Sequence, residues 1–93
     1  MAYGRFIGEL KKGIEGEIVA YESSAGHDGC LIHLKTVGHT IFIPRQLIEE
    51  QRSETISLLR AKIKSGNIDM PRLALCLRED QLVFEQLPAD IAA

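Results

Sequence analysis

The residues best suited to metal chemistry in this chain are histidines spaced around one cysteine. His27, Cys30 and His33 lie three positions apart, and His39 follows six positions later. Imidazole and thiolate groups are the ligands that zinc prefers. In a β-strand, however, side chains three positions apart point to opposite faces, and no C-x-x-C pair supplies a second half-site. We therefore expect no metal ion and no cofactor.

The residues that could exchange protons occur only as isolated pairs. Asp28 is next to His27, and Asp69 precedes Arg72 by three positions. Neither pair has a placed nucleophile or a third group that would orient it, as acid–base catalysis requires. The glycines form no G-x-G-x-x-G or P-loop pattern that would hold a phosphate. We therefore predict that the protein is not an enzyme.

A third set of residues suits single-stranded nucleic acid, which is held by rings that stack on bases and by cations that follow the phosphates. Tyr21 and Phe42 are the candidate stacking residues. A basic stripe in the second half would create a local positive field although the net charge is −2. The candidate nucleic-acid-binding residues are Tyr21, His33, Lys35, Phe42, Arg60, Lys62, Lys64, Arg72 and Arg78.

The same residues also have a purely structural interpretation. Tyr21 and Phe42 would then cover a hydrophobic seam against a neighbouring helix, and solvated cations are normal on the outer face of an antiparallel sheet. Lys62 and Lys64 would complement the dipole of a helix that ends near Gly66. For the basic stripe, the choice depends on whether its backbone is a strand or a helix.

The composition is that of an ordinary globular domain. Ninety-three residues suit a single domain, and 45% apolar with 26% charged residues is unlike a disordered chain. The apolar runs are too short to span a bilayer, and the N-terminus lacks a signal-peptide pattern. We therefore expect a cytoplasmic protein without a membrane partner. In that compartment Cys30 and Cys76 are expected to stay reduced.

Glycines divide the first half into short segments that suit strands and tight turns. Within one of these segments, Cys30, Ile32 and Leu34 form one face, and Leu31 and His33 lie on the other. A proline ends the last segment because it cannot donate a hydrogen bond to a ladder. We predict strands over residues 3–10, 17–21, 30–35 and 40–43, of which the last three form a meander.

Residues 45–65 fit two structures equally well. As a helix, the segment places Ile56, Leu59 and Ile63 on one face, with a glycine after its end. As a strand, it alternates Leu59, Ala61 and Ile63 with cations. Short apolar runs cannot be assigned by periodicity alone. We favour a short helix over about 46–55 and a strand over about 57–64.

The last part of the chain has a clear strand pattern. Leu73, Leu75 and Leu77 alternate with more polar residues, which predicts a strand over this region. Glu79-Asp80 is expected to turn the chain into a final strand over 81–87. We expect a single domain over residues 1–88 and a frayed tail over 89–93.

Six short motifs follow one another along residues 13–78. The first three are Gly16-Glu17-Ile18-Val19, Gly29-Cys30-Leu31-Ile32 and Phe42-Ile43-Pro44-Arg45-Gln46-Leu47. The others are Leu59-Arg60-Ala61-Lys62-Ile63, Ile68-Asp69 and Arg72-Leu73-Ala74-Leu75. In this order they resemble the OB-fold RNA-binding repeat first described in the large ribosomal small-subunit protein. The resemblance implies a small β-barrel that binds RNA.

Together these patterns predict a mainly β domain with five to six strands and one short helix. Because closing the sheet hides its strand edges, we expect a small OB-like or SH3-like barrel. The predicted function is a non-catalytic module that binds single-stranded RNA on a strand face. The alternative is a protein-interaction or regulatory module, with homodimerisation through an exposed strand edge as one form. Near-neutral charge, few aromatic residues and the apolar surface between Leu31 and Phe42 support this alternative.

Overall fold

The structure is a computed structural model, which describes residues 3–24, 26–36, 38–66, 68 and 70–88. The predicted frayed tail at 89–93 lies outside these residues. So do Asn67 and Asp69. In chain order the elements are α1 (Gly4–Leu10), β1 (Ile18–Ser23), β2 (Gly29–Leu34), β3 (Thr40–Pro44), α2 (Arg45–Glu50), α3 (Arg52–Ser65), β4 (Arg72–Arg78) and β5 (Gln81–Gln86).

The five strands form one open mixed sheet in the order β1-β2-β3-β4-β5. Neighbouring strands are antiparallel except β3 and β4, which are parallel. A parallel connection needs a crossover, and α2 and α3 supply it. The predicted barrel is therefore wrong, because helices occupy the connection where a further strand was expected. As a result β1 and β5 stay at opposite edges of the sheet.

The three helices contribute to a single hydrophobic core with one face of the sheet, which we call the helix side. The opposite face is the open side. None of the helices in the described residues has the length and apolar composition that crossing a bilayer requires. The core includes Phe6, Ile7 and Leu10 of α1, Leu47 and Ile48 of α2, Ile56, Leu59 and Ile63 of α3, and Ile32, Ile41, Ile43 and Leu75 of the sheet.

The predicted strand over residues 3–10 is wrong, because this segment forms α1. Phe6 and Leu10 are four positions apart, so a helix brings both onto the core, where they are buried. The end of α1 is held by Arg60, whose guanidinium donates to the backbone carbonyls of Glu9 and Leu10. Carbonyls in the last turn of a helix lack the usual partner four residues on, and the Glu9 carbonyl also accepts the Lys12 amide. Tertiary contacts thus offset the two glycines within α1.

The predicted strand over 57–64 is also wrong, because α3 runs without interruption from Arg52 to Ser65. Ile56, Leu59 and Ile63 are buried, whereas Ala61 is exposed, as the helical pattern required. Gly66 follows with a φ of 70°, the left-handed conformation that commonly ends helices at glycine. The helix predicted over about 46–55 is divided between α2 and the first turn of α3.

The other predicted strands are present. In β2, Cys30 and Ile32 face the helix side, and Leu31 and His33 face the open side, which confirms the predicted alternation. The predicted meander of the first three pairing strands is also confirmed. Glu79 and Asp80 both have positive φ, 50° and 63°, in the two-residue connection between β4 and β5. This backbone suits the twist of a hairpin.

Candidate interaction surfaces

The open side of the sheet carries a second, smaller apolar cluster. Leu31, Phe42, Ala74 and Leu87 pack together, and the half-buried Cys76 contacts them. The Phe42 ring lies over Gly29, where a Cβ atom would be only 2.5 Å from its Cζ. Phe42 is 6% exposed. A ring that is buried in this way has no free face for stacking on a base.

Tyr21 does not share a face with Phe42, contrary to the prediction that both project from one side of the sheet. The cross-strand partner of Tyr21 is Ile32, which faces the helix side, whereas the partner of Phe42 is Leu31 on the open side. Tyr21 is 42% exposed, and its hydroxyl lies beside Gly4 of α1. The two predicted stacking residues therefore cannot form one platform.

Several predicted phosphate contacts on the sheet instead face carboxylates. His33 Nε2 is 3.6 Å from Glu22 Oε2, and its Nδ1 is 3.4 Å from the Thr40 hydroxyl. Lys35 Nζ is 3.1 Å from a carboxylate oxygen of Glu17. These contacts reduce the positive field that a phosphate backbone needs.

Arg78 is paired in the same way at the other end of the sheet. Its guanidinium donates two hydrogen bonds of 2.8 Å to Glu85. These bonds hold the pKa of Glu85 below its usual range. Arg72, at the start of β4, is exposed beside a groove of about 430 Å³ that is also lined by Met70 and Leu87.

The basic stripe predicted from Arg60, Lys62 and Lys64 is dispersed by the helix. Residues two positions apart on a helix point in different directions, so Lys62 lies on a different face from Arg60 and Lys64, which are four positions apart. Arg60 turns inward to the end of α1, while Lys62 Nζ lies 5.4 Å from the centroid of the Phe84 ring. Lys64 is exposed in the last turn of α3. Sequence reasoning had assigned these three residues to one surface only through the strand interpretation.

The cysteines lie on opposite sides of the sheet, and both are free thiols. Cys30 faces the helix side and is fully buried, and this burial raises the pKa of its thiol to about 11. Burial also raises the pKa of Cys76. No cluster of three or more potential ligands is placed to hold a metal within the described ranges. Neither thiol has the low pKa and the exposure of a reactive cysteine.

We expect slow alkylation of both thiols in the folded protein, with Cys76 modified before Cys30. The reason is that only the thiolate reacts, and Cys76 is partly exposed whereas Cys30 is enclosed. Iodoacetamide labelling at neutral pH, followed by mass spectrometry, measures the order. Labelling in urea provides the control, since unfolding should make the two rates equal. Faster labelling of native Cys30 would contradict the assigned burial.

β1 is the most exposed strand of the sheet. Five of its six residues, Val19 to Ser23, are exposed, and we call this segment the β1 edge. The Ser24 amide donates to the Gly29 carbonyl, which identifies that pair as hydrogen-bonded. Because such pairs alternate in an antiparallel ladder, Ala20 and Glu22 also bond to β2. The amide and carbonyl groups of Tyr21 and Ser23 therefore point away from the sheet.

The β5 edge has the same backbone pattern but different flanks. Lys62 extends over Phe84 on the helix side, and the Arg78–Glu85 ion pair lies on the open side. Long charged side chains beside an edge strand are a common protection against unwanted pairing. Beside the β1 edge, the open side carries the Glu22–His33 pair, and on the helix side the Tyr21 hydroxyl lies beside Gly4 of α1.

Comparison with family models, curated proteins and solved structures finds no match to this chain. The sequence predicted an exposed strand edge but not which strand would form it, because the position of an edge depends on strand order. Among the residues that the structure describes, three large apolar side chains are exposed: Val19 and Tyr21 of the β1 edge, and Leu77.

Proposed function

We propose that this chain is a protein-interaction module that binds an extended segment of a partner protein along the β1 edge. The observation that carries the proposal is the outward direction of the Tyr21 and Ser23 amides and carbonyls on a strand exposed over five residues. An extended segment satisfies such groups by adding one more strand to the sheet. Main-chain hydrogen bonds then supply affinity and side chains supply specificity.

The β1 edge also supports a preference for particular partner sequences. Tyr21 would contact the partner on the helix side, and an aromatic or β-branched residue opposite it makes the best cross-strand pair. Glu22 lies on the open side, as its pairing with Leu31 requires. An acidic partner residue opposite Glu22 would be repelled, and a basic one attracted.

Binding of single-stranded RNA on the strand face has less support. Phe42 is buried, Tyr21 lies on the other side, and His33, Lys35 and Arg78 each face a carboxylate. Stacking platforms and continuous positive grooves are the two features that sequence-tolerant RNA binding depends on. Recovery of RNA in place of a protein partner would therefore overturn the protein-interaction proposal.

The substitution Ser23→Pro is expected to abolish partner binding without unfolding the sheet. Proline removes the Ser23 amide, which points outward, and is tolerated on edge strands where no ladder bond is lost. The matched control is Gln86→Pro. By the same alternation, starting from the Leu87 amide that donates to Arg72, the Gln86 amide points outward from the β5 edge. We expect Gln86→Pro to retain binding.

The measurement combines capture with hydrogen exchange. Nuclease-treated extract is passed over the wild type and the two proline variants, after circular dichroism has verified that each is folded. We expect a stoichiometric protein on the wild type and on Gln86→Pro, and at least a tenfold loss on Ser23→Pro. In the purified complex, the Tyr21 and Ser23 amides should gain protection. Unchanged capture by Ser23→Pro, or salt-sensitive RNA in place of protein, would overturn the proposal.

A further inference from the structure

We infer that the segment bound at the β1 edge is the β1 strand of a second copy of this chain. This inference rests on the proposed function and names its partner. The two strands would run antiparallel about a twofold axis at Tyr21, so that two five-stranded sheets become one of ten strands. A twofold axis requires that the same surface pair with itself, and an edge strand meets this condition only in an antiparallel arrangement.

The alternation of hydrogen-bonding groups limits the possible registers. Because Tyr21 and Ser23 carry the outward groups, the axis must pass through residue 21, 22 or 23. An axis at Glu22 would place the two Glu22 carboxylates directly opposite each other in the closer type of pair, which is repulsive. An axis at Ser23 would leave Tyr21 opposite a position past the end of β1, which is Ser23. The chain already turns there, since the Ser24 carbonyl accepts the His27 amide in the hairpin loop.

The register with the axis at Tyr21 avoids both problems. Each Tyr21 amide donates to the Tyr21 carbonyl of the other copy, which gives two central hydrogen bonds. Glu22 then faces Ala20, which is small and uncharged, and Ser23 faces Val19 at the bulge of β1. This register therefore places no two charged side chains of β1 directly opposite each other.

The side chains beside this axis support the same arrangement. The exposed fractions of Val19 and Tyr21 are 63% and 42%, and pairing would cover both. Two Tyr21 rings would meet across the axis, and aromatic cross-strand pairs are among the more stabilising ones. The low net charge of −2 adds little repulsion between copies.

The test uses opposite charges at position 20, which is exposed and faces Glu22 of the other copy only in this register. In Ala20→Lys, two new Lys–Glu pairs form across the axis, and we expect the dimer dissociation constant to fall about fivefold. In Ala20→Glu, two Glu–Glu pairs form, and we expect a rise of about fivefold. An axis at Glu22 would instead place residue 20 opposite Ser24 and only diagonal to Glu22, so the two variants would diverge much less.

Sedimentation equilibrium on the full chain over a wide concentration range measures these constants, with thermal unfolding as the control for folding. Reversible dimerisation of the wild type, tightened by Ala20→Lys and weakened by Ala20→Glu and Ser23→Pro, supports the inference. A wild type that remains monomeric, or a dimer that ignores the charge at position 20, overturns it. If Ser23→Pro then still abolishes capture of a different protein, the proposed function stands without the homodimer.

Discussion

Replacing Leu59 with alanine is expected to lower the free energy of unfolding by about 2–5 kcal/mol, the usual cost of emptying a fully buried leucine site. Leu59 has no exposed surface, and it lies between Ile56 and Ile63 on the buried face of α3. Urea unfolding followed by circular dichroism measures the change. An unchanged slope with denaturant concentration would show that stability alone has changed.

The matched control for Leu59→Ala is Ala61→Lys. In a strand, residue 61 would share the buried face of Leu59, and a lysine there would be strongly destabilising. In α3, Ala61 is exposed, and we expect the free energy of unfolding to change by no more than about 0.5 kcal/mol. A loss of more than about 1 kcal/mol in Ala61→Lys would contradict the helical assignment.

Substituting Gly29 by alanine is expected to cost about 1–3 kcal/mol through overpacking. A Cβ at this position would lie 2.5 Å from Phe42 Cζ and 2.6 Å from the Ile43 carbonyl oxygen. The Phe42 ring cannot move away freely, because Leu31, Ala74 and Leu87 pack around it. The carbonyl belongs to a central strand and is equally constrained. Thermal and urea unfolding both measure the loss.

Two further variants make the Gly29 prediction specific. Gly8→Ala adds the same methyl group at an exposed position of α1 with no atom within 4 Å, and we expect a gain of about 0.5–1 kcal/mol from helix propensity. Phe42→Leu in the Gly29→Ala background should recover part of the loss, because the nearest contact is to the ring. Equal effects of alanine at positions 8 and 29 would argue against the close packing of Phe42 on Gly29.

Much of the sheet follows from local sequence. The alternation through Cys30, Ile32 and Leu34 and through Leu73 and Leu75 has only one periodicity that fits, so these strands were predicted correctly. The Glu79-Asp80 turn was predictable because an aspartate favours turns and tolerates a left-handed backbone, which Asp80 adopts. In each case the signal lies within about ten residues.

The helices were not predictable in the same way. Leu59 and Ile63 fit a period of 3.6 as well as a period of 2, and only burial on the sheet distinguishes the two. α1 contains Gly4 and Gly8, which weaken any local preference. Its position depends on Arg60, about fifty residues away in sequence, which binds the carbonyls at its end. Contacts of this kind leave no local pattern.

The candidate surface was predictable only in its general type. The residue types indicated that the chain suits either a protein partner or an RNA partner. They did not indicate that Tyr21 and Phe42 lie on opposite sides of the sheet. A bulge between Ile18 and Ala20 changes the phase of the alternation in β1, so that counting in steps of two from the start of the strand fails. The predicted common face for these aromatic residues was wrong for this reason.

The sequence by itself determined where the five strands of the sheet lie and where the β4–β5 turn falls, because both depend on neighbouring residues. Only the tertiary structure decided that the sheet stays open, with β1 at an edge and the Tyr21 and Ser23 amides directed outward. The physical reason is that strand order and edge exposure arise from how α2 and α3 carry the chain across the sheet. The β1 edge, on which both proposals rest, is therefore a property of the fold.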